Sequence, residues 1–242
     1  MAHGQRDFGM YAAKDTVGSM ADNAELAARL KSIVTFDRAG DVVWLDDFEC
    51  GINNWYTATA GVGAYVRHDA EACRNGGFSM KLNTGDAVNN WAYAYHNIPL
   101  PVTSRIGFEI SFTCHGSLGD HEFRHLVRDP DWQHDARLRF LPNSSELQYY
   151  NTAAGWTTFV NGLVLLSAQW IFHTIKLVID LSTQRYVRAI VDGNQYDMTA
   201  YGYRYTANLL PSEWQCAVQI RTGVIANIHA WFDDAIVTQN EE

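Results

Sequence analysis

The sequence predicts an all-β protein, a sandwich or jelly roll with an N-terminal arm and one short helix in front of it. About a dozen β-prone segments follow one another between residues 42 and 238, separated by turn signals such as Asp192-Gly193-Asn194. Only one segment has the periodicity of a helix. The first and last β-prone runs, 42–49 and 228–237, each carry two adjacent aspartates, which favours a sheet that brings the two runs side by side.

The arm and the helix occupy residues 1–40, and the sandwich domain occupies residues 41–242. The helix is predicted over 19–33, where a capping-box-like start precedes an apolar stripe. A helix this short and this narrowly amphipathic is marginal alone, so it needs a surface to dock on. We expect its stripe to hold the arm on a neighbouring copy of the chain or on a capsid-like scaffold. The stripe consists of Leu26, Leu30 and Ile33.

The strands are predicted from alternation of apolar and polar residues between turns. In the run from Arg105 to Phe112 the even positions are apolar, and in the run from Ile171 to Asp180 the residues Ile175, Leu177 and Ile179 share a face. The predicted strands are 42–49, 63–69, 77–83, 91–98, 105–114, 135–141, 145–151, 156–160, 171–181, 185–192, 214–222 and 227–238.

The acidic pairs at the two ends of the domain indicate a cation site. Adjacent carboxylates in apolar strands are costly unless a cation or hydrogen bonds compensate their charge. If the end strands pair, their oxygens gather around a hard cation, and we expect a structural calcium ion. Its candidate ligands are Asp46, Asp47, Glu49, Asp233 and Asp234.

Composition excludes several classes of function. The 242 residues carry a net charge of −9 with histidine neutral, and basic residues form no cluster, which argues against a nucleic-acid ligand. No apolar stretch is long enough for a transmembrane helix, and no signal peptide is seen, so the expected location is a virion or the cytoplasm.

The four cysteines are expected to be reduced and mostly buried, with a disulfide between Cys50 and Cys73 left open.

Several segments resemble concanavalin A-like and carbohydrate-binding-module jelly rolls. The opening Leu45-Asp46-Asp47-Phe48-Glu49-Cys50-Gly51, the strand Gly77–Leu82, the strand Trp170–Leu177 and the closing Phe232–Val237 are similar to the corresponding strands of those modules. The resemblance covers about residues 42–238 and implies a concanavalin A-like β-sandwich, in which calcium often joins the first and last strands. The segment 25–44 also resembles leaders of tailed-phage structural proteins.

The histidines of the middle region raise the question of metal chemistry. His121-Glu122-Phe123-Arg124-His125 matches the bare H-E-x-x-H pattern of zinc proteases, which requires a helix. No helix is indicated here, so we expect no zinc hydrolase. The cluster is interpreted as a solvated insertion or subunit contact, with metal binding or pH sensing left open. Its members are His115, His121, His125 and His134.

The chain lacks the paired carboxylates of a glycoside hydrolase, and no other catalytic motif occurs, so no catalytic residue is assigned and no enzyme is expected. Aromatic residues offer a face for glycans or a protein partner, with core packing as the alternative. They are Tyr149, Tyr150, Trp156, Tyr201, Tyr203 and Tyr205. The leading hypothesis is a non-enzymatic, homo-oligomeric virion protein, such as a phage decoration or tail-associated protein. The alternatives are a carbohydrate-binding module and, third, a glycoside hydrolase or lyase.

Overall fold

Antiparallel strands make up the regular structure of the part of the chain that the computed structural model describes. That part comprises residues 39–101, 104–114, 119–223 and 227–242. The predicted arm and its helix, with Leu26, Leu30 and Ile33, lie outside the described residues. Within the described part, no helix is long and apolar enough to cross a bilayer.

The strands form two sheets, each with eight strands. Sheet A runs in the spatial order β13 (Asn194–Asp197), β12 (Arg185–Val191), β11 (Phe172–Asp180), β6 (Arg105–Thr113), β16 (His229–Gln239), β4 (Ser79–Asn83) and β3 (Tyr65–Asp69), and β1 (Asp41–Asp46) also pairs with β16. Sheet B runs in the order β10 (Trp156–Asn161), β9 (Glu146–Tyr150), β8 (Trp132–Leu141), β7 (Gly119–Arg128), β15 (Glu213–Thr222), β5 (Trp91–Ile98) and β2 (Tyr56–Ala60), and β14 (Arg204–Ala207) also pairs with β8.

The core lies between the inner faces of the two sheets. Phe112 of sheet A packs edge to face on Phe123 of sheet B at 4.9 Å, and Phe108 of sheet A packs edge to face on His125 of sheet B at 6.0 Å. Each fully buried side chain of this kind contributes about 1.5–3 kcal/mol of hydrophobic stabilisation. The all-β sandwich predicted from the alternating segments is confirmed.

The two ends of the domain do lie side by side. Strands β1 and β16 pair antiparallel, with Asp46 opposite Ala235 and Asp41 opposite Gln239. The pairing of β16 with β6 shifts between Asp233 and Ile236, and Asp234 has a φ of 48°. The closing aspartates therefore sit on a β-bulge, a feature that redirects side chains and interrupts the regular alternation of faces.

The histidine-containing segment is not the loop that the sequence analysis expected. Residues Gly119–Arg128 form β7, one of the central strands of sheet B. Its inward positions include His121, Phe123 and His125, all buried, whereas Glu122 and Arg124 lie on the outward side. The prediction failed because histidine and charged residues alternate there, and a strand with that composition has no apolar stripe to reveal it.

The cysteines are all free in the structure. Cys114 and Cys216 are buried, Cys73 is half-buried and Cys50 is exposed. The disulfide left open between Cys50 and Cys73 is not formed. Burial raises the pKa of the Cys114 thiol to about 12, so this cysteine behaves as a small apolar core residue rather than as a reactive thiol.

Candidate functional site

The outward face of sheet B, here called the polar face, carries charged, amide and aromatic side chains in rows that cross the strands. Antiparallel register aligns residues of neighbouring strands. One row takes a residue from each of five adjacent strands, β5, β15, β7, β8 and β9. This row consists of Tyr93, Gln219, Glu122, Arg139 and Gln148. The next row consists of Tyr95, Ala217, Arg124 and Arg137.

Asp135 fixes the arginines of the second row. Arg137 donates to both of its carboxylate oxygens at 2.8 and 2.6 Å, and Arg124 donates Nε–H to Oδ1 at 2.7 Å. Burial alone would raise the pKa of Asp135, but the hydrogen bonds and charges of Arg137 and Arg124 lower it below its usual value. Both guanidinium groups are therefore held in one orientation, with part of each facing outward.

Arg139 is held by an amide and by a neighbouring ring. Its Nη2 and Nε donate to Oε1 of Gln148 at 2.5 and 3.2 Å, and its Cζ lies 4.3 Å from the Trp156 ring centroid. Gln148 in turn donates Nε2–H to Glu146 at 2.8 Å, which fixes which end of the amide faces the arginine. A guanidinium that stacks on a ring while keeping free N–H groups is suited to planar acceptors such as carboxylates.

Two aromatic rings form one side of a depression of about 320 Å³ on this face. Tyr150 and Trp156 lie 5.3 Å apart, and the Arg137 guanidinium stands 4.6 Å above the Tyr150 ring. Glu122 and Arg221 line the opposite part of the same depression. Rings next to hydrogen-bonding groups are the combination that binds sugar rings, which have apolar faces and hydroxyl edges.

The carboxyl groups in the depression are less acidic than usual. Burial raises the pKa of Glu122, and the positive charges of Arg137 and Arg124 only partly oppose that effect. Burial likewise raises the pKa of Asp120, against the charges of Arg139 and Arg221. Protonation of either group leaves positive charge in excess among the side chains of the polar face.

The aromatic residues were predicted to form two possible binding faces, one with Tyr149, Tyr150 and Trp156 and one with Tyr201, Tyr203 and Tyr205, but they are divided among three places. Tyr150 and Trp156 line the polar face, as just described. Tyr203 is fully buried and donates its hydroxyl to the carbonyl of Asp180 at 3.1 Å, so its proposed binding role is wrong. Tyr149 is also buried and stacks on Tyr201 at 4.6 Å, which makes these two rings part of the core and its margin. Tyr205 lines a separate cavity at one end of the sandwich.

The H-E-x-x-H segment cannot form the zinc site of a protease in this strand. Positions four apart share a face of a strand, so His121 and His125 both point inward, whereas Glu122 points to the opposite side. His125 makes a hydrogen bond to the carbonyl of Leu177 at 3.3 Å. Burial lowers the pKa of both histidines to about 4, which keeps them neutral inside the core at neutral pH. Of the other members of the cluster, His134 is also buried, and His115 lies outside the described residues.

The predicted calcium ligands lie near one another but are largely occupied by hydrogen bonds. Asp46 accepts from Phe48 N–H and Trp55 Nε1 at 2.9 and 3.0 Å, and Asp47 accepts from Glu49 N–H at 3.1 Å. Glu49 accepts from the N–H groups of Gly77 and Phe78. Among the described residues, no three His, Cys, Asp or Glu side chains converge closely enough to hold a metal ion.

Asp234 is the member of this group with coordinating capacity left. Its Oδ1 is buried without a hydrogen-bond partner, whereas Oδ2 accepts from Asn75 Nδ2 at 2.5 Å. Burial raises the pKa of Asp233 to about 7 and that of Asp234 to about 6, and neighbouring carboxylates add to both increases. The Arg74 guanidinium lies 3.7 Å from Asp234 Oδ2 and partly opposes the rise in its pKa, so a positive charge already lies beside this carboxylate.

Calcium binding at the terminal strands therefore stays a prediction. We expect calcium to raise the melting temperature and a chelator to lower it, because a ligand of the native state stabilises by mass action. Asp234→Asn should remove the response to calcium, since the amide takes the place of the charged oxygen. The exposed Asp86→Asn is the matched control and should keep the response. Identical melting curves of the unaltered protein in calcium and in chelator would contradict the prediction.

Comparison with known proteins identifies the fold. No protein-family model and no curated protein sequence matches the chain. Among solved structures, the chain is similar to an endo-β-1,4-glucuronan lyase from the fungus Trichoderma reesei, with a TM-score of 0.55, 12% identity, and coverage of 83% of this chain and 96% of that one. It is also similar to the alginate lyase vAL-1 from Chlorella virus, with a TM-score of 0.51, 9% identity and coverage of 82% and 100%.

A third similar structure is the carbohydrate recognition domain of Emp46p, with a TM-score of 0.50, 8% identity and coverage of 80% and 92%. The chain also matches a sialidase at a TM-score of 0.54, but it spans only 18% of the length of that protein. At these identities the likeness shows the fold alone. It confirms the jelly-roll resemblance, whereas no comparison supports the phage-like leader.

Two expectations from the sequence need correction. The exclusion of an enzyme is wrong as an exclusion, because the same fold occurs in a glucuronan lyase and an alginate lyase. The leading hypothesis of a virion structural protein has less support than its carbohydrate-related alternatives. Homo-oligomerisation and attachment to a capsid or tail protein stay predictions.

Proposed function

We propose that the protein binds an extended acidic polysaccharide across the polar face of sheet B. The observation that carries this proposal is the pair of cross-strand rows, in which arginines are held by fixed acceptors beside half-buried rings. Arg137 is clamped by Asp135 and stacked on Tyr150, and Arg139 is clamped by Gln148 and stacked on Trp156. Sites organised before the ligand arrives lose less entropy on binding.

The length of a row favours a polymer over a small molecule. Five adjacent strands are separated by four gaps of about 4.8 Å, so the row from Tyr93 to Gln148 spans roughly 19 Å. This length accommodates several sugar units lying across the strands. The depression beside Tyr150 and Trp156 lies toward one end of the rows, and the stacked Tyr56 and Tyr95 rings, 5.1 Å apart, lie toward the other.

The charges of this face favour an acidic polysaccharide over a neutral one. The chain as a whole has a net charge of −9, yet its polar face carries five arginines, four of which also pair with carboxyl groups of the same face. The five are Arg124, Arg128, Arg137, Arg139 and Arg221. Two of the carboxyl groups among them, Asp120 and Glu122, have a raised pKa. A uronate carboxylate is a planar acceptor that matches the fork of a guanidinium group.

The test is binding of polyuronates and matched neutral glucans to the full chain by affinity electrophoresis and calorimetry. We expect Arg139→Ala to weaken polyuronate binding by about tenfold or more, because a charge-assisted hydrogen bond contributes about 1.5–3 kcal/mol. Arg185→Ala is the matched control, since Arg185 is exposed and lies in β12 of sheet A. Equal binding of neutral and acidic chains, or equal losses for the two variants, would refute the proposal.

Eliminative cleavage of the same polymer is a second candidate, and Tyr93 is the residue that favours it. Elimination takes a proton from the carbon beside the uronate carboxylate and returns a proton to the departing glycosidic oxygen, while a C=C bond forms. Tyr93 lies in the row that contains Glu122, and Arg124 lies in the neighbouring row. Burial raises the pKa of Tyr93, and Arg124 opposes that rise by stabilising the phenolate, which can take the first proton and give it back.

Tyr93→Phe should abolish formation of the unsaturated uronate product, measured by its ultraviolet absorbance, while leaving polyuronate affinity within about threefold. Product formation should be lost because the substitution removes the hydroxyl that transfers the proton, and affinity should be kept because the ring stays in place. Tyr65→Phe, a change at a tyrosine in sheet A, serves as control. Absence of product with the unaltered protein on every polyuronate that it binds would reject cleavage and leave the binding proposal standing.

A further inference from the structure

A second cavity, here called the end cavity, opens at one end of the sandwich and differs in chemistry from the polar face. It has a volume of about 310 Å³ and lies between the turn after β7, the turn after β11 and strand β14. Its floor is apolar, with Val127 and Leu181 among the lining residues. One wall is the ring pair Trp132 and Tyr205, stacked at 4.4 Å, and Trp132 is 41% exposed.

The carboxylate of Asp129 lies beside these rings, and one of its oxygens can still accept a hydrogen bond. Its Oδ1 accepts the N–H groups of Asp131 and Trp132 at 2.9 and 2.6 Å, whereas its Oδ2 has only a long contact of 3.4 Å to His134 Nε2. Burial alone would raise the pKa of Asp129, but the two N–H groups and His134 lower it overall. The carboxylate is therefore ionised at neutral pH and fixed in place by the turn.

The potential in the end cavity is negative. Among the described residues that line it, none is lysine or arginine. Arg128, next to Asp129 in the chain, points to the polar face, where it pairs with Glu213 and donates to Gln133. Arg105 pairs with Asp180 at 3.2 Å and is not among the lining residues. The pKa of Tyr205 is raised by desolvation and then by Asp129 and Asp131, in agreement with a negative potential at this wall.

The rim of the end cavity is rigid and polar. Asp180 Oδ1 accepts from the N–H and hydroxyl groups of Ser182 at 2.9 and 2.6 Å and from Thr183 N–H at 3.1 Å, which fixes the turn. Gln184 donates its amide to the carbonyl of Ser182 at 3.2 Å and has a φ of 53°. The Ser182 and Gln184 side chains thus offer hydroxyl and amide groups at the entrance to the cavity.

We propose that the end cavity binds a compact organic ammonium ion, with the cationic group between Asp129 and the Trp132–Tyr205 pair. Aromatic faces attract cations through their quadrupole, and an ionised carboxylate without a counter-ion adds Coulomb attraction. A neutral sugar would use the rings and the rim but leave the free Asp129 oxygen without a charged partner. The ammonium can belong to an amino sugar, whose hydroxyls meet Ser182 and Gln184, or to a simple alkylammonium.

The test is calorimetric titration of the full chain with glucosamine, glucose and tetramethylammonium, with the tryptophan indole N–H resonances followed by NMR. We expect glucosamine to bind at least about tenfold more tightly than glucose, a ratio that a cation–π contact of about 1–2 kcal/mol provides. Affinity for tetramethylammonium equal to that for glucosamine would identify the ammonium alone as the ligand. A much weaker affinity for tetramethylammonium than for glucosamine would identify the amino sugar as the ligand. Glucose bound as tightly as glucosamine would overturn the proposal.

Variants separate this cavity from the polar face. Asp129→Asn keeps an acceptor for the turn, and Trp132→Ala removes an exposed ring, so both should fold. Each should lower glucosamine affinity by about tenfold. Trp170→Ala, at a 66% exposed tryptophan elsewhere, and Arg139→Ala, on the polar face, should not change it. Glucosamine binding unaffected by both Asp129→Asn and Trp132→Ala would overturn the proposal, whatever the polyuronate result.

Discussion

Asp135→Ala should lower the free energy of unfolding by about 3 kcal/mol, because it leaves two guanidinium groups without their shared counter-charge. Asp135 is 2% exposed, and Arg137 and Arg124 both donate to it. The estimate lies at the lower end of the range for broken buried ion pairs, because both arginines are partly open to solvent. Urea unfolding followed by circular dichroism measures the loss.

The same substitution should also weaken polyuronate binding, since Arg124 and Arg137 lose the group that orients them. Asp135→Asn should show an intermediate loss of stability, because the amide oxygen still accepts one hydrogen bond. Asp86→Ala, at an exposed aspartate, should change stability by no more than about 0.5 kcal/mol. A loss for Asp135→Ala as small as that of this control would show that the clamp on the arginines contributes nothing to stability.

Acid should destabilise the protein through its two buried histidines. Burial lowers the pKa of His121 and His125 to about 4, whereas the pKa in the unfolded chain is about 6.5. The stability linked to these residues is therefore full above about pH 6.5 and is lost as the pH falls toward 4, since only the unfolded chain takes up protons. The expected loss is on the order of 3 kcal/mol for each histidine.

The contribution of the two histidines to the pH dependence must be measured by comparing a histidine variant with the unaltered protein. The reason is that Asp233 and Asp234 act in the opposite direction. Their raised pKa values of about 7 and 6 mean that the native state gains stability as the pH falls through the same window. Relative to the unaltered protein, His121→Leu should shift the change in unfolding free energy between about pH 8 and about pH 4.5 toward greater stability at the acid end, because one destabilising protonation is removed. His125→Leu should do the same, although it also leaves Trp214 Nε1–H without its acceptor. An unchanged pH profile in both variants would contradict the prediction.

The sequence predicted those parts of the fold in which local pattern and turn chemistry agree. Strand β11 followed from the alternation of Ile175, Leu177 and Ile179, whereas the strong turn signal Asp192-Gly193-Asn194 lies between β12 and β13, a strand that was not predicted. Strand β7 was missed because its inward row mixes histidine with phenylalanine and its outward row is charged. No intrinsic preference marks such a segment as a strand. Pairing with β8, which follows it in the chain, and with β15, which is far away in the sequence, makes it one.

The candidate site was less predictable than the fold. Tyr150 and Trp156 were selected as binding residues and do lie on the polar face, but Tyr203 was selected by the same reasoning and is buried. Alternation indicates which residues share a side of a strand, yet it does not say which side the second sheet covers. The arginines Arg124, Arg137 and Arg139 were not selected, because Arg124 lies in the missed strand β7 and because the sequence does not show which side of β8 carries Arg137 and Arg139. Their shared face arises only from antiparallel register.

Strand β16, made last, occupies an interior position of sheet A. It pairs with β6 on one side and with β4 and β1 on the other, so it joins residues that are almost the whole domain apart in sequence. Until this strand leaves the ribosome, the edges of β6 and β4 have no partner in that sheet. Such non-local pairing is slow and exposes strand edges during synthesis. Sheet A can therefore be completed only once β16 has been made, and a chain that stops short of His229 leaves the edges of β6 and β4 unpaired.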